Sequence, residues 1–373
     1  MARSRILTTH VGSLPRSPAV LEYHRSRASG LEQGPESIAG ELAIATRDIV
    51  QKQVNAGIDI VSDGELSKAS YATYVTERWS GFGGEFLSPH PRDMIAFQGL
   101  VRENGPQWRL RKMCVAALGS RGSSKLQDDI ARLANAAQIS KPHRAFMNAA
   151  SPGLVAYFMR NRYYPTFEAY LEAMIPLLRQ EYEAILAAGF DLQIDCPELA
   201  MGRHIGYCDD SEDEFWRKSE ISIETLNAAT EGLPADRMRM HICWGNYSGP
   251  HHLDLPLRRV LPLVFKARPC GISFEGANPR HEHEYNVFDD LRLPDDKIII
   301  PGVIDSTSNF IEHPELVAQR LKRYVRRAGF ERVIASSDCG FSTSALGGHV
   351  NPEVVWAKLS SLVEGAEIAS NGG

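Results

Sequence analysis

Short runs of β-branched and apolar residues recur along the chain. Each is followed by polar or Gly-rich residues, then by a longer stretch with apolar positions at helical spacing. The short runs are Ile6–Val11, Ile58–Ser62, Arg144–Asn148, Leu192–Asp195, Met238–Cys243, Gly271–Phe274, Ile298–Val303 and Val333–Ser336. Helical periodicity fills Ile38–Ala56, Thr166–Ala188, Ser219–Ala229, Leu257–Ala267, Pro314–Ala328 and Pro352–Ala369. Gly57 and Gly189 follow two of these stretches, where a C-terminal cap belongs. Strands alternating with helices predict βα units around a parallel sheet. Eight such strands close most economically as a (β/α)8 TIM barrel, an α/β fold.

Ser80–Leu118 breaks the rhythm. Two further β-like runs, Met94–Val101 and Met113–Ala117, flank a polar N-G-P-Q segment. They predict a β-hairpin inserted after the second strand. The alternative makes Met113–Ala117 a barrel strand and shifts the count by one. A length of 373 residues suits two or three domains, or one barrel with insertions. The strand count favours a single catalytic barrel over 1–373, with 80–118 as a hairpin inside it.

Lys+Arg of 41 against Asp+Glu of 46 gives a net charge of −5, which argues against a broad nucleic-acid-binding surface. The N-terminal residues lack the apolar core of a signal peptide, and no run of about 18 apolar residues suggests a membrane span. A cytoplasmic protein without membrane or nucleic-acid partners is expected; a homo-oligomer is compatible. The six cysteines are widely spread, as thiols or metal ligands rather than a disulfide framework. No glycine turn has the spacing of a dinucleotide or Walker motif.

Barrel enzymes build their sites where strands end. Here every strand end carries a Ser, Thr, Asn, Asp, Glu, His or Cys. His241-x-Cys243 places two ligand types on one strand face, because side chains alternate with a period of two. Glu275 follows the next strand and Cys339 the last. Together they make an N, S, O, S set suited to one tetrahedral Zn2+ per chain. The competing reading is packing, since Cys is a frequent buried hydrophobe. Glu65 and Asp195 are read as functional, holding a substrate ammonium or moving protons. Asp63 is equally a cap or turn residue. His251, His252 and the H-E-H of His281–His283 are read as solvated loop residues. Tyr157, Phe158, Tyr163 and Tyr164 suit either a stacking platform or a helix's core face.

T-T-H-V-G-S-L-P-R, S-D-G-E, I-D-C-P-E-L, H-I-C-W-G-N, S-F-E-G-A-N-P-R, P-G-V-I-D and S-S-D-C-G together resemble the C-terminal catalytic half of the cobalamin-independent methionine synthase family. The resemblance runs from about Arg5 to Ala369 and is to the short single-barrel branch, near the epoxyalkane:coenzyme M transferases. It implies a zinc-dependent methyltransferase that moves a methyl group from a methylfolate-like or corrinoid donor to a thiol, with homocysteine converted to methionine. It implies zinc on His241, Cys243, Glu275 and Cys339. Val11, Gly12 and Ser13 would contact the amino-acid thiol, and Glu65 and Asp195 its ammonium. Where the family places a donor-side histidine after the G-V-x-D turn, this chain has Thr307, two residues beyond Asp305; these two are the candidate catalytic pair. Cys196 replaces the family's usual Glu. Two alternatives stand beside this reading. One is an alkyl-thiol lyase using coenzyme M, with Arg16 and Lys68 near enough in sequence to meet a sulfonate. The other is a non-catalytic zinc barrel that only binds.

Overall fold

The computed structural model describes residues 5–30, 35–97, 99, 110–348 and 350–371. Its strands are β1 (Leu7–Thr8), β2 (Ile60–Val61), β3 (Trp79–Leu87), β4 (Leu110–Ser120), β5 (Arg144–Ala150), β6 (Asp191–Asp195), β7 (Met238–His241), β8 (Gly271–Phe274), β9 (Ile298–Ile304) and β10 (Ile334–Ser337). Eight of them form a parallel sheet in the order β1-β10-β9-β8-β7-β6-β5-β2. The seam between the end strands is sewn by side chains. Thr9 Oγ1 donates to the Ile60 carbonyl at 2.9 Å, and the Thr8 N–H to Asp59 Oδ2 at 2.9 Å. The sheet is a nearly closed (β/α)8 barrel.

Alternation along the strands divides the barrel interior into two levels. Leu7, Ile60, Phe146, Ile300 and Ile334 form one buried apolar cluster. Two residues further along their strands, Phe146 gives way to Asn148 and Arg239 to His241. A period of two keeps each pair on the same face. The intervening Leu192, Ile194, Met240, Ile272 and Phe274 are fully buried in the main core with the helices. Burying each such side chain contributes about 1.5–3 kcal/mol. Polar residues are thus raised to the carboxyl ends of strands whose bases are sealed by hydrocarbon.

The eight barrel strands fall on the eight runs read from the sequence. Gly57 (φ 84°) and Gly189 (φ 91°) adopt the left-handed conformation just past their helices. The predicted helix Thr166–Ala188 is two, Phe167–Glu172 and Ile175–Ala187. Pro176 lies in the first turn of the second, the one place a helix tolerates a missing N–H. Helices Pro18–Ala28, Ser124–Ser140 and Pro152–Phe158 were not among those expected.

The hairpin is present after β2, but its first strand is not Met94–Val101. β3 pairs antiparallel with β4, while Met94 lies in the short helix Arg92–Ile95. Of the remaining run, Gln98, Leu100 and Val101 lie outside the described residues. Three glycines dilute the apolar alternation of β3 and hide it from a pattern search. One is required: Gly81 (φ 98°) sits at a register shift, and a Cβ there would lie 2.8 Å from the Ala116 carbonyl. No helix among the described residues is long and apolar enough to cross a membrane.

Candidate active site

The strand tips bring His241, Cys243 and Cys339 together. Their ligating atoms all lie within 4.8 Å of one another, and the two sulfurs are 3.7 Å apart. Zn–S bonds of about 2.3 Å at a tetrahedral angle would set two sulfurs about 3.8 Å apart. His241 Nδ1 meets Ser273 Oγ at 3.1 Å, which fixes the ring, while its buried Nε2 has no hydrogen-bond partner among the described residues. Burial, aided by Arg239, lowers the His241 pKa to about 3, so the ring is neutral and free to ligate. The Gly245 N–H donates to Cys243 Sγ at 3.2 Å. The hydrogen bond with Cys339 and burial push the Cys243 thiol well up in the absence of a cation. This donor set fits zinc.

Glu275 stands beside the cluster without joining the three. Its Oε1 accepts from the Trp244 N–H at 2.9 Å and its Oε2 from Asn278 Nδ2 at 2.8 Å. Asp338, next to Cys339, holds the same loop by accepting from the N–H groups of Gly276, Ala277 and Asn278 at 2.8, 2.8 and 2.9 Å.

A chamber of about 60 Å³ adjoins the cluster, with Val11, Ser13, Glu65, Asn148 and Asp195 in its wall. Gly12 (φ 144°) is the close approach that shapes it. A Cβ there would lie 2.5 Å from both Glu65 Oε1 and Asn148 Oδ1. The Gly12 N–H donates to His10 Nδ1 at 3.1 Å, so His10 Nε2 carries the proton shared with Gln53 Oε1 at 2.7 Å. Asp195 accepts from Gln193 Nε2 at 2.8 Å, and Asn148 Nδ2 lies 3.2 Å from its other oxygen. Among the described residues, Asn148 Oδ1 is a buried acceptor without a partner. Burial raises Glu65 to about 7 and Asp195 to about 6, and the Asp195 carboxylate makes Glu65 harder still to ionise. Lys68 and Arg16 oppose this rise for Glu65, and Lys68 and Arg239 for Asp195, without cancelling it. A buried cluster of acceptors that is hard to ionise suits a small cation.

The nearby cations face elsewhere. Arg16 donates to the carbonyls of Ser342, Glu65 and Lys68 at 2.9, 3.0 and 2.9 Å. Lys68 Nζ donates to the Asn148 carbonyl at 2.8 Å. Asp63 Oδ1 accepts from the Glu65 N–H at 3.0 Å, an Asx turn that presents Glu65.

Two further spaces open from the mouth. A groove of about 660 Å³ shares Tyr71, Asn246 and Thr343 with the smaller chamber. A second space of about 250 Å³ holds Asp305, Thr307, Glu275 and Asp338, and shares only Asn246 with that chamber. Asp305 Oδ1 accepts from the Thr307 N–H and hydroxyl at 3.0 and 2.9 Å. Hydrogen bonds from Ser308 and Thr307 outweigh burial and hold its pKa below the ordinary value.

Of the loop histidines expected in solvent, His281 is buried and His251 is half-buried. Asp254 Oδ2 lies 3.0 Å from both His251 Nδ1 and His281 Nε2. Asp254 and Glu284 reach these rings from beyond the two histidine motifs, so local polarity misleads; His252 and His283 are exposed. The aromatic cluster divides. Tyr157 and Phe158 line the groove, Tyr163 is exposed, and Tyr164 stacks on Tyr170. Asn148, Asn246 and Asp338 were passed over. Each lay in a polar strand-end segment, but neither an amide nor a carboxylate binding backbone has a spacing signature.

No protein-family model matches the chain. It is 26% identical over 365 residues to a methionine synthase of Saccharolobus islandicus, covering 97% of this chain and 94% of that one. The chain resembles the cobalamin-independent methionine synthases. A B12-independent methionine synthase of Shewanella, solved in complex with selenomethionine, has a TM-score of 0.73 at 22% identity, covering 98% of both chains. A putative B12-independent methionine synthase of Listeria monocytogenes has a TM-score of 0.68 at 19% identity, again covering 98% of both chains. These likenesses to methionine synthase structures establish the fold.

Proposed function

We propose that the chain is a thiol methyltransferase that moves a methyl group from a methyl donor to homocysteine, giving methionine. The observation that carries this reading is one chamber that joins a His/Cys/Cys cluster to two buried carboxylates. Zinc on His241, Cys243 and Cys339, with Glu275 as fourth ligand, would supply a thiolate at neutral pH, where a free thiol of pKa about 8.5 is mostly protonated. Glu65, Asp195 and the unpartnered Asn148 Oδ1 take the ammonium. Val11 and Ser13 form the adjoining wall, with Gly12 packed against Glu65 and Asn148 between them, and the three align the chain of the amino acid.

The sulfur lone pair forms the new S–C bond as the bond between the methyl carbon and its carrier breaks. The released electron pair stays on the carrier, and the thiol's proton passes to the carrier or to solvent. Catalysis then consists of a nucleophile prepared and held in line. Asp305 serves as an ionised acceptor that fixes Thr307 in the second space, rather than as a proton donor. The donor is methylfolate-like or corrinoid.

A thiol bearing a sulfonate suits this chamber poorly. Arg16 and Lys68 donate to backbone carbonyls and neither lines the chamber, whose charged side chains include the carboxylates of Glu65 and Asp195. The test is turnover of homocysteine and of coenzyme M with methylfolates, methylcobalamin and a short epoxide. Methylation of homocysteine is expected. Alkylation of coenzyme M alone would overturn the assignment.

A further inference from the structure

We propose that the inserted hairpin sets the charge of the donor groove, and that Arg111, with Lys112 beside it, selects a methyl donor carrying negative charge away from its methyl group. The inference rests on the methyltransferase reading and concerns the other substrate.

The groove of about 660 Å³ is the larger of the two spaces at the mouth and shares three wall residues with the thiol chamber. A donor there can present a methyl group past Tyr71 and Asn246 while its remainder lies outward. Tyr157, Phe158 and Met201 offer that remainder an apolar bed. Among the described residues, the groove's wall holds Arg27, Arg111 and Lys112 but no Asp or Glu. Arg27 is already paired, at 2.9 Å from Glu77.

Arg111 differs. It projects from β4 over the Phe158 ring, 5.0 Å from the centroid; its Nη1 donates to the Leu110 carbonyl at 3.2 Å, and its Nε is buried without a hydrogen-bond partner among the described residues. Among the described residues its electrostatic neighbours are the phenols of Tyr71 and Tyr157, not a carboxylate. A partly buried guanidinium is costly to leave unpaired, and its planar fork matches a carboxylate or phosphate. Stacked on an aromatic ring, it leaves donors for an anion beside a flat apolar body. A sulfonium donor would meet two like charges on the same wall.

The test measures both binding and turnover. Calorimetry would compare wild type, Arg111→Ala, Arg111→Lys and Arg111→Glu against 5-methyltetrahydrofolate with one or three glutamates, methylcobalamin and the trimethylsulfonium ion. Homocysteine binding, read separately, reports on the thiol chamber. Wild type should prefer the anionic folates and reject the sulfonium. Arg111→Ala should weaken folate binding about tenfold, the equivalent of one charge-assisted contact, and raise KM rather than lower kcat. Arg111→Lys should recover part of the loss, Arg111→Glu should deepen it, and methylcobalamin should respond less than the folates. Equal losses for every donor, or none, would overturn the selector role. Homocysteine binding without turnover of any donor would count against the methyltransferase reading and leave the groove's charge preference to the calorimetry.

Discussion

The two sides of the barrel mouth are made of different material. On the thiol side, His241 and Asp195 are the last residues of adjacent parallel strands and register partners. Cys339 and Glu275 follow strand ends by one or two residues. These side chains are buried and held by hydrogen bonds within the barrel. On the donor side the wall comes from β4, from the loop after β7 and from residues 343–346, and Leu110 and Leu346 are half exposed. The first side is as rigid as the sheet that carries it, as chemistry on a small invariant group requires. The second is built partly on an insertion, which can change without disturbing the barrel.

The largest effect should come from the thiol side. Glu65→Gln should raise KM for homocysteine about 10–100-fold, the range of a lost charge-assisted hydrogen bond, and leave coenzyme M nearly unaffected. Equal effects on the two thiols would remove the ammonium role. The same pair predicts a pH signature. Glu65 is raised from 4.5 to about 7 and Asp195 from 3.8 to about 6, chiefly by burial. The folded chain therefore holds these protons more tightly than the unfolded chain. Their contribution to stability is complete below the ordinary carboxylate range and is lost as pH rises towards about 7. Homocysteine affinity should run the other way, falling as pH drops from about 7 to about 5 because the ammonium needs ionised carboxylates. Thermal midpoints and KM across this window, for wild type and Glu65→Gln, check both signs.

A smaller effect tests how firmly the two sides are joined. Asp93, in the insertion and fully buried, accepts from the Tyr247 hydroxyl at 2.7 Å and the His251 N–H at 2.8 Å. Asp93→Asn should cost about 1–3 kcal/mol in urea unfolding without lowering zinc content. Loss of zinc in this variant would mean that the two sides are not separable.

The contrast also governs what could be read from the chain. Strand tips were legible because period-two alternation places His241 and Cys243 on one face and because barrel closure brings distant tips together. The first hairpin strand was not, since glycines erase its pattern. The covered state of His251 and His281 was hidden because Asp254, local to His251, reaches His281 through tertiary packing. Asn148 and Asn246 carry no spacing signal, so their place in the site emerged only with the walls around them.

The central claim is that His241, Cys243 and Cys339 form a metal site on which thiol chemistry depends. Metal analysis of the purified chain beside Cys339→Ser tests it most directly, with circular dichroism to verify the fold. About one zinc per chain is expected for wild type, and loss of both zinc and homocysteine methylation for the folded variant. A folded wild-type chain that methylates homocysteine without metal, or a Cys339→Ser variant with wild-type rates, would contradict it.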